Sequence, residues 1–511
     1  MSASVVAAPA TDRQQHRQRR WWALAALMLP VFLISIDNTV LAFALPKIAE
    51  DFRPSAATQL WIVDIYSLVL ATLLVAMGSL GDRFGRRRLL LIGATGFAVV
   101  SAAAAFAPSA GALVAARAML GIFGAMLMPT TLSLIRNIFT DATSRRLAIA
   151  IWASCFTAGS TLGPIIGGAL LEHFHWGAVF LIALPILLPL VLTAPKLVPE
   201  SRDPNPGPVD ITSVLLSLTT VLPVVWAIKS VAHDGFSTAA LGAFAVGAVS
   251  GIWFVHRQNR SSTPMLDMRL FTYGPFNASI LANFLSIVGL IGFLFFISQH
   301  LQLVLGLSPL TAGLVTLPGA VVSAIAGVGV VRLARRFSAA ALIIAGLLLV
   351  SAGFVMILVF RHNLTVGAVI ASFIVLELGI GISQTISNDA IVSAVPAAKA
   401  GAASAVSETS YELGAVVGTA ILGSMVTGFY RANIEVPATL SAAQAADAAE
   451  SIGGAVSVAQ TLPTDVGTRL MESARIAFDS GIAPMAAVAA LSALLAAVVV
   501  AVVFRRHAPA C

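Results

Sequence analysis

The sequence predicts an all-α membrane protein with fourteen transmembrane helices. Three observations carry that expectation. Of 511 residues, 58% are hydrophobic and only 10% are charged, and the mean hydropathy is +0.93; a water-exposed domain of that composition would leave most of its surface apolar. Apolar runs of about 20 residues, the length that crosses a bilayer, recur along the whole chain. Arginine and lysine fall in alternate connections between those runs, the charge pattern of membrane topology.

Taken in order, the first six runs cover 21–46, 59–80, 88–106, 111–135, 147–170 and 176–194. Two more lie at 211–229 and 238–255, and six follow at 276–303, 309–333, 339–360, 364–387, 401–429 and 481–504. The basic connections are "RQQHRQRR", "GDRFGRRR", "RNIFTDATSRR", "HRQNRSSTPMLDMR", "RLARRF" and the tail "FRRH". These belong on the cytoplasmic side, whereas "APSA", "EHFH" and "VAHDGFS" are poor in positive charge and belong outside. Both termini, residues 1–20 and 505–511, are then cytoplasmic tails. One external connection, 430–480, is out of scale. Its two stretches of helical composition are separated by "GG" and "LPTD", so it reads as a cap of two short helices or as a gate over an external opening.

Several function classes are excluded. The net charge of +7 comes from short clusters between spans, with no aromatic-basic module to suit nucleic acid. Cys155 and Cys511 make no disulfide framework, and the scattered histidines offer no metal site. No small-residue cleavage site follows the first apolar run, so no cleavable signal peptide is expected. The four lysines, Lys47, Lys196, Lys229 and Lys399, follow Pro, Ile or Ala, so the phosphate-binding Gly-Lys-Ser/Thr loop is missing. No nucleophile–base or metal set lies inside the spans, which argues against an enzyme and against any cofactor. Work done by this chain would draw on an ion gradient or the membrane potential, about 2.3 kcal/mol per charge per 100 mV.

Four motifs then narrow the class. "GSLGDRFGRRR" carries Gly78, Gly81, Asp82, Arg83, Gly85 and Arg86 after the second span. Its glycines permit close helix approach and a tight turn, and Asp82 has basic residues to pair with. "GSTLGPIIGG" places Gly159, Gly163, Pro164, Gly167 and Gly168 in the fifth span, a seam of small residues with a bend. "LVAARAMLGIFGA" puts Arg117 inside the fourth span, and "SIDNTVLAFALP" puts Asp37, Thr39 and Pro46 in the first. The loop motif closely resembles the signature of the major facilitator superfamily, and the fifth-span motif resembles its antiporter signature. The first-span motif is similar to that of its fourteen-span drug:proton antiporters. Together they match the first 170 residues closely, and the span count extends the likeness along nearly the whole chain.

The resemblance implies a fold of two six-helix bundles, 21–194 and 276–504, with two helices inserted at 209–255, each bundle built from inverted three-helix repeats. It implies export of lipophilic mono- and divalent cations in exchange for protons across a bacterial cytoplasmic membrane: quaternary ammonium biocides, ethidium, acriflavine and viologens. The N-terminal half is also similar to actinobacterial exporters of ethidium and fluoroquinolones. The partners are then cationic small molecules, protons and the bilayer, with the chain acting as a monomer. Arg117 resembles the family arginine that takes part in proton transfer and contacts the loop aspartate. The second-half counterpart of the loop, "GVGVVRLARRFS", keeps Gly329 and its arginines but has no aspartate. A second reading within the same fold is export of a physiological metabolite or lipid, with drugs as incidental cargo.

Five carboxylates lie inside predicted spans: Asp37, Asp64, Glu377, Glu408 and Glu412. An intramembrane acid is costly and signals function. Glu408 and Glu412 are four apart and share a helical face, so they form a coupled pair able to hold a proton and release it to an arriving cation. Asp37, Arg117, Glu408 and Glu412 are the expected proton-coupling residues. Asp64 follows Trp61 by three residues on one face, so a carboxylate and an indole flank one cation site. Its position about five residues inside the helix suggests that water from an outer vestibule reaches it. Tyr66, Trp152, Phe156, Phe295 and Glu377 are further cargo candidates.

Overall fold

The computed structural model describes residues 10–202, 210–261, 264–393 and 400–507. Among the described residues the chain is helical with no β-strand, and 14 segments are long and apolar enough to cross a membrane. The first six spans are α1 (Ala10–Phe52), α2 (Ala56–Phe84), α3 (Arg86–Ala105), α4 (Ala110–Ile138), α5 (Ala142–His173) and the pair α6 (Ala178–Leu181) and α7 (Ala183–Leu197). Two further spans, α8 (Ile211–Asp234) and α9 (Thr238–Arg260), precede α10 (Gly274–Gln299), α11 (Pro309–Leu333), α12 (Ala339–Phe360) and α13 (Val366–Ser393). The thirteenth span joins α14 (Ala400–Gly418) to α15 (Ser424–Asn433) through a π turn at Thr419–Gly423. After the cap helices α16 (Ala442–Glu450), α17 (Ile452–Ala459) and α18 (Thr464–Ser480), α19 (Ile482–His507) is the last span.

Helices α1 to α7 pack on one another, as do α10 to α15 and α19; α8 packs on α9 and touches α2 and α15. Apolar side chains cover the perimeter, for example Ile252 at 72% exposure and Val328 at 70%. Such a surface is covered at low cost only by lipid.

Three boundaries depart from the sequence expectation. The first span continues through Pro46 to Phe52. Helix α8 runs on to Asp234, so Lys229 is an interior residue and not the last of its span. The cap has three helices, not two, and its first break falls at Ser451 instead of the glycine pair. Ser451 caps α17, its hydroxyl accepting from Gly454 N at 3.1 Å. Gly453 meets Ala49 so closely that a Cβ would stand 2.9 Å from the Ala49 methyl, which is why a glycine fits that first turn. The cap is docked on the spans: Glu450 accepts from Ala56 N at 2.8 Å, and Gln59 donates to Ser451 at 3.1 Å.

Taking the basic loops as the inner side, the outer ends of the two halves meet backbone to backbone. A Cβ on Gly168 would stand 2.6 Å from Leu310 Cα, and one on Gly313 would overlap the Pro164 carbonyl. On the inner side, Gly78 and Gly81 bring α2 against Pro129 and Thr130 of α4. Gly85 turns the chain at φ 111°, where any side chain would be strained and would strike the Glu200 carboxylate. Asp82 pairs with Arg86 at 2.7 Å, and Glu200 accepts from Arg87 N at 3.0 Å. The equivalent second-half loop differs. Arg332, Arg335 and Arg336 are exposed there, and among the described residues they make no ion pair.

Candidate transport site

The antiporter-like seam determines where Asp37 sits. Gly159, Gly163 and Gly167 face Ser35, Thr39 and Val40 of α1, and a Cβ at each would overlap the opposing side chain. Thr39 also donates across this seam to the Ser160 carbonyl at 3.3 Å. The turns of α1 clamped by the seam are the turns that carry Asp37.

Asp37 points into the first bundle and meets Arg117 at 2.6 Å, both side chains buried. Arg117 also donates from Nε to the Ile62 carbonyl at 3.2 Å and lies 4.4 Å over the Tyr66 ring. A guanidinium in hydrocarbon needs such a set of partners. The implied contact with the loop aspartate is not made. Ile62 and Asp82 are 20 residues apart on α2, about 30 Å at 1.5 Å per residue, so Arg117 is far from the loop. Tyr66 is fully buried beneath Arg117.

Asn38, next in sequence, reaches into the other half and donates to Glu412 Oε1 at 3.3 Å. Glu408 lies one turn earlier on α14. Among the described residues no basic side chain pairs with Glu377, Glu408 or Glu412. Glu377 of α13 lines a cavity of 130 Å³ between the halves, with Thr39, Phe156, Pro164, Ser323 and Tyr411 also on its wall. Phe156 stands between Trp152, stacked at 6.4 Å, and Tyr411, edge-on at 6.1 Å. Trp152 is held by its indole N–H, which donates to Thr131 at 3.2 Å. Phe295 is 1% exposed and packs with Leu45 and Leu60 in the core, away from this cavity.

Asp64 is dry. It is 2% exposed, which overturns the expected access from an outer vestibule. Lys229 of α8 stands 2.8 Å from its Oδ2 and is equally buried, and Thr419 donates to its Oδ1 from the π turn of the thirteenth span. The Lys229 ammonium also lies 4.1 Å from the centre of the Trp61 ring. Trp61 and Asp64 therefore do flank one cation, and in this structure that cation is the chain's own. The sequence reading missed Lys229, Asn38 and Thr419. The signal for Lys229 was present: "IKSVA" carries apolar residues beyond the lysine, so the run need not end there.

Comparison with known proteins identifies the family of this fold. The Major Facilitator Superfamily model matches residues 27–419.

The chain belongs to the major facilitator superfamily.

It is thus a multi-pass protein of the cytoplasmic membrane and a transporter by family. It is 72% identical to "Multidrug efflux pump LfrA" of Mycolicibacterium smegmatis, over 99% of this chain and 100% of that protein. "Methyl viologen resistance protein SmvA" of Salmonella typhimurium is 36% identical over 90% of this chain and 93% of its own length. "Tetracenomycin C resistance and export protein" of Streptomyces glaucescens is 33% identical, covering 94% and 91%. Among solved structures, an inward-facing bacterial homolog of the human lysosomal transporter Spinster superposes with a TM-score of 0.65 at 18% identity, over 95% of this chain and 98% of that one. At that identity the likeness speaks to the major facilitator fold alone.

Proposed function

We propose that this chain exports lipophilic mono- and divalent cations, including quaternary ammonium biocides, ethidium, acriflavine and fluoroquinolones, in exchange for protons. The observation that carries the reading is the balance of charge inside the spans. Two acids, Asp37 and Asp64, are each matched by an internal cation, whereas Glu377, Glu408 and Glu412 have none among the described residues. An acid without a counter-charge in hydrocarbon is tolerated when it carries a proton or faces a cation, and alternation between those states is antiport. The names of the relatives, a multidrug efflux pump and a methyl viologen resistance protein, support the cargo class.

In this scheme Glu408 and Glu412 take and release the proton, and Asn38 carries the state of Glu412 to the turn of α1 that holds Asp37 and, through it, Arg117. Cargo enters between the halves, where Glu377 offers a charge and Phe156 and Trp152 offer aromatic faces. Asp64 and Trp61 form a second cation site. Tyr66, under Arg117, acts on cargo only through that arginine.

The test uses everted vesicles loaded with the protein. Ethidium uptake should follow an imposed pH gradient and stop when a protonophore collapses it. Uptake that persists after collapse, with ATP present, would refute proton coupling.

A further inference from the structure

The Asp64 site raises a question that the transport scheme leaves open. A carboxylate beside an indole face is suited to an organic cation that has no hydrogen bonds to donate, because the carboxylate supplies charge and the ring supplies cation–π attraction. Here both surfaces are taken. Lys229 is 2.8 Å from Asp64 and 4.1 Å from the Trp61 ring centre, with both charged side chains 2% exposed.

The space beside the lysine is small. A crevice of 10 Å³ beneath the outer surface reaches the lysine, lined by Leu60, Lys229, Ser424, Thr427 and Arg431. That volume is about one water molecule. An organic cation does not fit in that crevice, so to reach Asp64 and Trp61 by this route it would replace the lysine. The three groups that meet at Asp64 also come from three parts of the fold: α2 of the first bundle, α8 of the two-helix insert and the π turn of the second bundle. Thr419 fixes the carboxylate's other oxygen independently of Lys229, so the acceptor stays oriented when the lysine leaves. The departing group is a compact ammonium on a flexible four-carbon stem.

We infer that Lys229 is a tethered cation that occupies the Asp64–Trp61 site in the outward-closed state and is displaced by lipophilic organic cations. This rests on the cation-export reading and adds to it a specificity device. Cargo must compete with a resident charge, so apparent affinity is reduced by the fraction of time the lysine is seated. Neutral lipophiles, which gain nothing from Asp64, do not dislodge it.

A purely structural pin between α8 and α2 makes the opposite forecast, which allows a clean test. Binding of tetraphenylphosphonium to the full chain in nanodiscs should tighten about tenfold in Lys229→Met, if the lysine is seated about nine-tenths of the time. Lys229→Arg should stay near wild type, and Asp64→Asn/Lys229→Met should lose the gain. Equal or weaker binding by folded Lys229→Met, or a gain that survives in the double variant, would overturn the proposal.

A second measurement needs no variant. Amine labelling read by mass spectrometry should find Lys229 protected in the wild-type chain and exposed at saturating tetraphenylphosphonium, with the partly exposed Lys47 as control. Continued protection at saturation would overturn the proposal. Labelling that responds while ethidium shows no gradient-driven uptake would uphold this site and refute the transport reading. Gradient-driven uptake with unresponsive labelling would refute this site alone.

Discussion

Two buried ion pairs whose carboxylates lie in the first bundle, Asp37–Arg117 and Asp64–Lys229, are alike in chemistry and opposite in mounting. Asp37 and Arg117 belong to one bundle, and the arginine is also held by the Ile62 carbonyl and the Tyr66 ring. Asp64 and Lys229 join that bundle to the α8–α9 insert, and the ammonium also lies against the Trp61 ring. Arginine stays charged and makes several directed bonds at once, whereas a lysine is a point charge on a mobile stem. The first pair is built to stay and the second to part. A carboxylate in a span thus tells only that a counter-charge is required; the mounting of that counter-charge decides whether the acid serves every cycle or only certain cargo.

The largest effect should come from breaking the fixed pair. Asp37→Asn should lower export of every cation by at least ~100-fold while the protein still inserts, because Arg117 loses the partner that costs most to replace. Vesicle uptake of ethidium, compared at matched folded yield, checks this; near wild-type uptake would move the coupling role to the glutamates.

Next in size is damage to the seam that seats Asp37. Gly163→Val forces a side chain into Thr39, and overpacking of this kind costs about 1–3 kcal/mol. Export should fall roughly tenfold or more for all cargo alike, as expected of a fault in the common pathway. A loss confined to dications would contradict the assignment of this seam to Asp37.

The smallest effect concerns the far end of the insert, where Arg257 pairs with Asp210 at 2.9 Å. Hydrogen bonds from Arg257 are the main cause that holds the Asp210 carboxyl down at about 2. A lowered carboxylate gives its support above its ordinary value, near 4, and loses it only as pH falls toward 2. Arg257→Gln should therefore lower the melting temperature by less than about 2 °C, as for most ion pairs near the surface, with no added pH dependence of transport between about pH 5 and 8. A pH-dependent change in that window would mean that the insert is coupled to the proton path.

Much of this contrast was legible in the sequence, and the part that was not has a physical reason. Hydropathy gives the fourteen spans because lipid imposes length and apolarity on each. The seam and loop motifs locate glycines whose Cβ atoms would collide, at Gly159, Gly163 and Gly167. Asp37, Asp64 and Arg117 stand out because charge in an apolar run is rare. Their partners do not, because pairing across helices depends on rotation and depth. Lys229 lies 165 residues from Asp64, and Asn38 lies 374 from Glu412. The cap misled because its glycine pair suits a break, whereas the packing of Gly453 on Ala49 uses the same residues inside a helix.

The central claim, that Asp37 serves all cargo and Asp64 only part of it, is tested most directly by one paired transport measurement. Uptake of a viologen dication and of a monovalent dye is compared in wild type and Asp64→Asn. A charge pair at 4 Å is worth about 4 kcal/mol at an effective dielectric near 20, and a quarter of that is about fivefold in affinity. The account predicts that Asp64→Asn weakens the dication about fivefold more than the monovalent dye, since two charges call for two carboxylates. Equal losses for the two probes would contradict it and return Asp64 to proton coupling.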